Sequence, residues 1–168
     1  MNRRRLEFEA LRDSLLAVSG KLDLASGGRP VEIARATSNR RSVYGFIDRQ
    51  DLPNLFRVFD VASPDTSNDR RVRTTVPQQA LFLMNSPFVI EQAKAIIARP
   101  EVAAATDTAN RVSVLYRIIL QRAATSNEVA VAKEFIDTAS QNPGGAQLPA
   151  WEQYAQMLLL TNEFAFAD

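Results

Sequence analysis

The chain has 168 residues, of which 46% are hydrophobic, and its formal net charge is +1. A chain of this length can bury about 70% of the surface that it exposes when unfolded, so one domain can form a core without a metal or a disulfide. Cysteine and histidine are both absent, which excludes thiol nucleophiles, Ser-His triads, histidine bases and the usual zinc ligands. We therefore expect no metal, no cofactor and no catalytic residues that the sequence can identify.

The charged residues are balanced and dominated by arginine. There are 17 Arg and 3 Lys against 19 Asp and Glu, and the two signs are interleaved along the chain. No broad basic face is expected, so the sequence does not favour nucleic-acid binding. No apolar run approaches the roughly 20 residues of a membrane span. The basic start leads into an amphipathic helix instead of the apolar core of a secretory signal, so we predict neither membrane insertion nor a signal peptide.

The first part of the chain combines helices with loops. Residues 2–19 are predicted to form a helix that stops at Gly20, because their apolar side chains recur at helical spacing. These side chains are Phe8, Leu11, Leu15 and Val18. A loop follows, with a short strand at residues 31–33. Residues 42–49 (SVYGFIDR) are expected to be extended because they are β-branched and aromatic, and a short helix follows over residues 53–60.

Residues 70–89 read RRVRTTVPQQALFLMNSPFV and carry two helix starts in succession. Thr75 with Gln78 fits a capping box, and Pro77 suits a first helical turn. Ser86 with Pro87 repeats the start signal, because serine accepts hydrogen bonds from unpaired amides and proline has no amide hydrogen to leave unpaired. Two short helices should therefore meet at a bend, and the second should run to about residue 99.

The C-terminal part carries three further helix signals. Residues 107–122 have apolar side chains at helical spacing, and Thr125 with Glu128 forms a capping box for a helix through residue 140. A last helix begins at Pro149, and its aromatic stripe, which includes Trp151, is predicted to lie in the core. The predicted fold is mainly α: one compact helical domain over residues 1–168, with five or six helices and one or two short extended segments.

An anion-binding site is one hypothesis for residues 70–89 and the arginines before them. A turn at Asn85 and Ser86 would present backbone amides at a helix start, which attract anions, and arginines would donate bidentate hydrogen bonds to a carboxylate, sulfate or phosphate. The candidate residues are Arg40, Arg41, Arg70, Arg71, Arg73, Asn85 and Ser86. The alternative is that the turn residues only cap and bend helices, while the arginines pair with carbonyls and carboxylates inside the loops.

A second hypothesis is a polysaccharide hydrolase or lyase that works through a pair of carboxylates. Such enzymes place two carboxyl groups roughly 5 to 10 Å apart in an open cleft. The candidates near the arginine-rich region are Asp48, Asp51, Asp60, Asp69 and Glu91. Asp69 also suits a turn, because aspartate bonds its own backbone there.

Four strings in matching order give the chain a resemblance to a known family. They are RLEFEALRDSLLAVSGKLD (5–23), NRRSVYGFIDR (39–49), the 70–89 stretch and LTNEFAFAD (160–168). Together they resemble the planctomycete and verrucomicrobial family catalogued as domain of unknown function 1553. The resemblance implies that the chain is the C-terminal part of that domain, at the end of a large, exported or surface-located multidomain protein.

In that family the domain often follows a cytochrome c-like module, a second uncharacterised domain or a carbohydrate-binding-like sandwich. The familiar domain extends upstream of Arg3 into a part that holds histidines, so a site shared between the two parts would be incomplete here. The family pattern assigns no catalytic residues. No activity is implied for this chain.

Three functions therefore remain open. The sequence favours a structural or interaction module, whose partner is another domain of the same polypeptide or another protein, over an enzyme. The alternatives are binding of an anionic glycan at the arginine-rich helix start and the carboxylate-based hydrolase or lyase.

Overall fold

The computed structural model describes residues 4–33, 38–65, 67, 69, 71, 74–141 and 148–167. Within these ranges it has nine helices, six of them seven residues or longer, and one pair of short strands, which confirms the predicted mainly α fold. The helices are α1 (Phe8–Val18), α2 (Asn54–Val58), α3 (Pro77–Asn85), α4 (Pro87–Ile97), α5 (Pro100–Ala103), α6 (Thr108–Ile119), α7 (Ser126–Gln141), α8 (Ala150–Leu159) and α9 (Asn162–Ala165). The strands are β1 (Arg4–Arg5) and β2 (Phe166–Ala167).

Several helix ends lie where their local chemistry places them. Gly20 follows α1 with a φ of 75°, the left-handed conformation that glycine adopts most easily. The capping box before α7 is formed: the Thr125 amide donates to Glu128 Oε2 at 2.7 Å, and the Glu128 amide donates to Thr125 Oγ1 at 3.3 Å. Ser86 precedes α4 and Pro87 is its first residue, as predicted.

The start of α3 differs from the prediction by one residue. Val76, not Thr75, is the N-cap, and its amide donates to Gln79 Oε1 at 3.3 Å. The physical reason is Pro77, because a residue before proline is driven out of the α region, and Val76 is extended at φ −121° and ψ 149°. Proline therefore determines where this helix begins.

The extended segments also differ from the prediction. Residues 42–49 do not form a strand: Ser42–Tyr44 forms a single 3-10 turn, and Gly45 makes an isolated parallel bridge with Val31. The strand pair joins the two ends of the described chain instead, with Arg4 opposite Ala167 and Arg5 opposite Phe166. Local β propensity did not indicate this pairing because cross-strand partners, far apart in sequence, decide which segments pair.

The core is centred on α4, which packs most extensively against α8. Val89, Ala93 and Ile96 of α4 are fully buried, and Ala155 and Leu159 of α8 are equally inaccessible. Burial of apolar surface of this kind supplies most of the stability of a helical domain. The predicted inward face of α8 is confirmed for Tyr154, Ala155 and Leu158, whereas Trp151 is only partly buried and packs against the edge of the core.

A chain of aromatic rings joins α1, α2 and α3. Phe8 contacts Phe56 and Phe59, and Phe59 contacts Phe82, each with ring centroids 5.3 Å apart. These contacts fix the spacing of the three helices. In the described part of the chain, every helix lacks the combination of length and apolarity that a membrane crossing requires.

Candidate functional site

A groove of about 770 Å³ lies where α1, α2 and the junction of α3 and α4 meet. Its apolar lining comes from all four helices and from one residue of the loop after α1. These side chains are Phe8, Leu11 and Leu15 of α1, Ile33 of the loop, Leu55 and Val58 of α2, Phe82 of α3, and Pro87 and Phe88 of α4. Cavities of roughly 300–1,000 Å³ that are mostly apolar and carry a few placed polar groups are typical of ligand sites. The groove is therefore the first candidate site of the described chain.

Arg12 is the charged residue in the wall of the groove, and only 3% of its surface is exposed. Its Nη1 donates to the carbonyl of Arg40 at 2.9 Å and to Ser42 Oγ at 3.2 Å, and its Nη2 donates to the carbonyl of Ser38. The guanidinium also lies 5.3 Å from the centre of the Phe88 ring. Arg12 thus fastens residues 38–42 to α1 and contacts the start of α4.

Burial is the main influence on the Arg12 cation. It lowers the pKa of Arg12, and the nearby Asp13 carboxylate, 3.7 Å from Nη1, opposes that shift. Asp13 is itself held by Ser42, whose amide and hydroxyl donate to Oδ1 at 2.8 and 2.7 Å. The arrangement keeps a positive charge in an apolar environment, where it interacts with a nearby anion more strongly than it would in water.

The rim of the groove carries neutral amide side chains. Asn54, Gln78 and Asn85 line it and are exposed. Asn85 Nδ2 donates to the carbonyl of Leu81 at 2.9 Å. Polar groups at the mouth and apolar groups at the floor make the groove amphipathic in cross-section.

A second surface lies on the outer side of α3, and we call it the α3 face: Leu81 and Met84, which lie three positions apart and so share one side of the helix. Leu81 and Met84 are each 54% exposed, and Met157 of α8 is 38% exposed. Gln156, which precedes Met157, donates through Nε2 to the carbonyls of Leu83 at 3.3 Å and Met84 at 2.8 Å. These bonds fix the C-terminal end of α3 against α8.

Of the five predicted anion-binding arginines, the structure describes Arg40, Arg41 and Arg71. Arg70 and Arg73 lie outside the described residues. Arg71 forms a bidentate pair with Glu9, at 3.0 and 2.8 Å, and donates to Glu7 at 2.9 Å. These contacts raise the pKa of Arg71, chiefly through the hydrogen bond with Glu9.

The other two described arginines, Arg40 and Arg41, are adjacent and lie just before the 3-10 turn at Ser42–Tyr44. Arg40 donates to the carbonyls of Ala25 and Gly27 at 3.0 and 2.6 Å, and its guanidinium lies 4.2 Å from the centre of the Tyr44 ring. Arg41 is exposed and lines a cavity of about 550 Å³ that also contains Arg71. Arg71 and Arg41 therefore border one cavity, which Glu7, Glu9 and Asp13 line as well.

Asn85 and Ser86 lie apart from that cavity, in the lining of the groove. Ser86 is 8% exposed and makes no side-chain capping bond to α4. The structure thus brings Asn85 and Ser86 together with Arg12, which the sequence did not single out, and places them in a different cavity from Arg41 and Arg71. Anion binding stays a prediction.

The comparison with known families decides what the chain is related to. The model of the PSD1 family, described as protein of unknown function (DUF1553), matches residues 1–136. The chain belongs to the DUF1553 family. The searches of curated proteins and of solved structures each found no match. All residues that line the groove, and both residues of the α3 face, lie in the range that the DUF1553 model matches.

Three of the five carboxylates proposed for a hydrolase, Asp48, Asp60 and Glu91, make polar contacts with other groups in this DUF1553 chain. Asp60 accepts from Arg5 Nη2 at 3.1 Å and from the Thr74 amide at 2.8 Å. Asp48 accepts from the Gln50 amide at 2.8 Å, as a turn residue does. Glu91 pairs with Lys94 at 3.0 Å. Among the described residues, no group of three or more acidic side chains is placed to hold a metal ion.

Arg12 is the site residue that sequence reasoning missed in this DUF1553 chain. It was overlooked because a charged residue in an amphipathic helix is usually assigned to the solvent face. Its position carried a signal nonetheless: Phe8, Leu11, Arg12 and Leu15 follow the i, i+3, i+4, i+7 spacing of one helix face. An arginine inside an apolar stripe predicts a buried cation that needs partners.

Proposed function

We propose that this DUF1553 chain is a non-catalytic interaction module of a larger, exported protein, and that its α3 face docks on another domain of the same polypeptide. The observation that carries the proposal is the exposure of Leu81 and Met84, which lie three positions apart on one side of α3. Exposed apolar side chains that lie together are typical of protein contact sites. Methionine suits such a surface because its flexible thioether adapts to the shape of a partner.

A domain of the same polypeptide fits this surface better than a free protein partner does. Stable complexes between separate proteins usually bury at least about 1,200 Å² in total, and two side chains supply a small part of that area. A tethered domain needs less, because a short linker gives it a millimolar effective concentration. Export and the multidomain context enter the proposal from the family resemblance of the sequence.

The contacts of the acidic residues support a role without chemistry. Asp60 and Glu91 are paired with cations, and Asp48 closes a turn. Carboxylates with such partners are less suited to act as general acid and base than free groups in a cleft.

Photo-crosslinking in a polypeptide that contains this chain together with its upstream domains tests the proposal. A photoreactive amino acid replaces Leu81 in one variant and Val131 of α7 in the control. The two side chains are 54% and 55% exposed, both are apolar and both lie on helices. We expect position 81 to give intramolecular adducts with residues outside this chain, and position 131 to give none. No adduct from position 81, or similar adducts from both positions, would contradict the proposal.

A further inference from the structure

We propose that the groove between α1, α2 and the α3–α4 junction binds a small amphiphilic carboxylate, with its apolar chain on the groove floor and its head group against the Arg12 guanidinium. This inference is independent of docking through the α3 face. It concerns a different cavity wall, a different class of ligand and residues that all lie before position 89.

The volume and lining of the groove fit such a molecule. About 770 Å³ is in the range of small-molecule sites. The floor side chains Phe8, Leu11 and Leu15 are apolar, and each is less than 5% exposed. Each methylene group placed there gains free energy by leaving water. An unbranched chain can follow the floor of the groove, while a polar head remains near the wall.

The charge of the lining is one-sided. Arg12 is the charged residue among the described residues that line the groove, and none of those residues is acidic. Asp13, whose carboxylate forms an ion pair with Arg12, lines the neighbouring cavity of about 550 Å³ instead. The groove lining thus contains the cation but not its carboxylate partner.

The hydrogen bonds of Arg12 leave a donor for a head group. Nη1 and Nη2 bond the segment from Ser38 to Ser42, and Nε makes no hydrogen bond to a described residue. A carboxylate accepts a hydrogen bond from a guanidinium more strongly than a neutral hydroxyl does. It would also offset the penalty of burial, which disfavours the charged form of Arg12.

Calorimetric titration of the full chain with three probes of one chain length tests the charge preference. Decanoate carries an anion, 1-decanol is neutral and decyltrimethylammonium is cationic, and each is used below the concentration at which it aggregates. We expect decanoate to bind at least about tenfold more tightly than decanol, since tenfold corresponds to about 1.4 kcal/mol, the scale of one hydrogen bond to a charged group. The cationic probe should bind more weakly than decanol.

A pair of matched variants tests the location. Val58→Trp fills the groove from α2, whereas Val131→Trp adds the same side chain to the exposed surface of α7. We expect decanoate affinity to fall at least tenfold in the first variant and to stay within about twofold in the second. Should Val58→Trp fail to fold, methyl NMR of the unaltered chain replaces it, and decanoate is expected to shift the signals of Leu11 and Leu55.

The results that would overturn the inference are specific. Equal affinity for decanoate and decanol would show a plain apolar cavity without carboxylate selection. No binding of decanoate, full binding by a folded Val58→Trp variant, or unshifted Leu11 and Leu55 signals would remove the site. Leu81→Ser should leave decanoate affinity unchanged, so this proposal and docking through the α3 face can fail separately.

Discussion

Replacing Arg12 with methionine should destabilise the fold by about 3 kcal/mol. Methionine keeps much of the side-chain volume but removes the donors to the carbonyls of Ser38 and Arg40 and to Ser42 Oγ. Hydrogen bonds to a charged group contribute about 1.5–3 kcal/mol each. The variant no longer buries a cation, and this gain offsets part of the loss. Breaking one side of a buried ion pair typically costs about 3–5 kcal/mol in total.

The low end of that range applies because Asp13 is not left alone. Its side chain is 23% exposed, and it keeps the hydrogen bonds from the amide and hydroxyl of Ser42. Arg12→Met combined with Asp13→Asn should recover about 1 kcal/mol of the loss, because the double variant contains no uncompensated charge.

Urea unfolding followed by circular dichroism measures the effect. With a typical slope of about 1–3 kcal/mol per molar urea, a loss of about 3 kcal/mol lowers the midpoint by roughly 1–3 M. Arg117→Met is the control, because Arg117 is exposed on α6, and its substitution should stay within about 0.5 kcal/mol. A loss below about 1 kcal/mol for Arg12→Met, or one equal to the control, would refute the argument that Arg12 fastens residues 38–42 to α1.

Two further predictions concern the C-terminal helices. The hydrogen bonds that Glu128 accepts from Arg122 and from the Thr125 amide lower its pKa to about 2, so its contribution is complete above about pH 4.5 and is lost as the pH falls towards 2. Glu128→Gln should therefore cost about 1 kcal/mol at pH 7, a value reduced by the partial exposure of the pair, and nothing at pH 2, as urea unfolding at the two pH values will show. Leu158→Ala should cost about 2–5 kcal/mol, because Leu158 is 2% exposed, whereas Met157→Ala, at a site 38% exposed, should cost less than about 0.5 kcal/mol in the same assay.

The helix boundaries that the sequence predicted well depend on neighbouring residues alone. Gly20, the Ser86-Pro87 start and the Thr125–Glu128 box each act through φ, ψ and hydrogen bonds within a few positions. Such signals are present in any window of the sequence that contains them. These local signals were enough to predict the number and the order of the long helices.

The contacts that the sequence did not reveal join distant positions. Arg71 pairs with Glu7 and Glu9, which precede it by 64 and 62 residues. The β1–β2 pair likewise brings the start and the end of the described chain together. Packing decides such pairings. The residues that surround Arg71 in the sequence therefore could not show that it would form ion pairs with Glu7 and Glu9.

The bend between α3 and α4 connects the capping signals to the groove. Ser86 donates its amide to the Phe82 carbonyl at 2.8 Å, which closes α3, and its own backbone is extended at φ −68° and ψ 124°. Pro87 has no amide hydrogen to continue α3, so α4 starts in a new direction. Phe82 and Phe88 therefore lie on different helices around one concave space, beside Arg12. A straight helix through these residues would leave no bend for the groove to occupy, so the same Ser86-Pro87 step that separates α3 from α4 also shapes the groove.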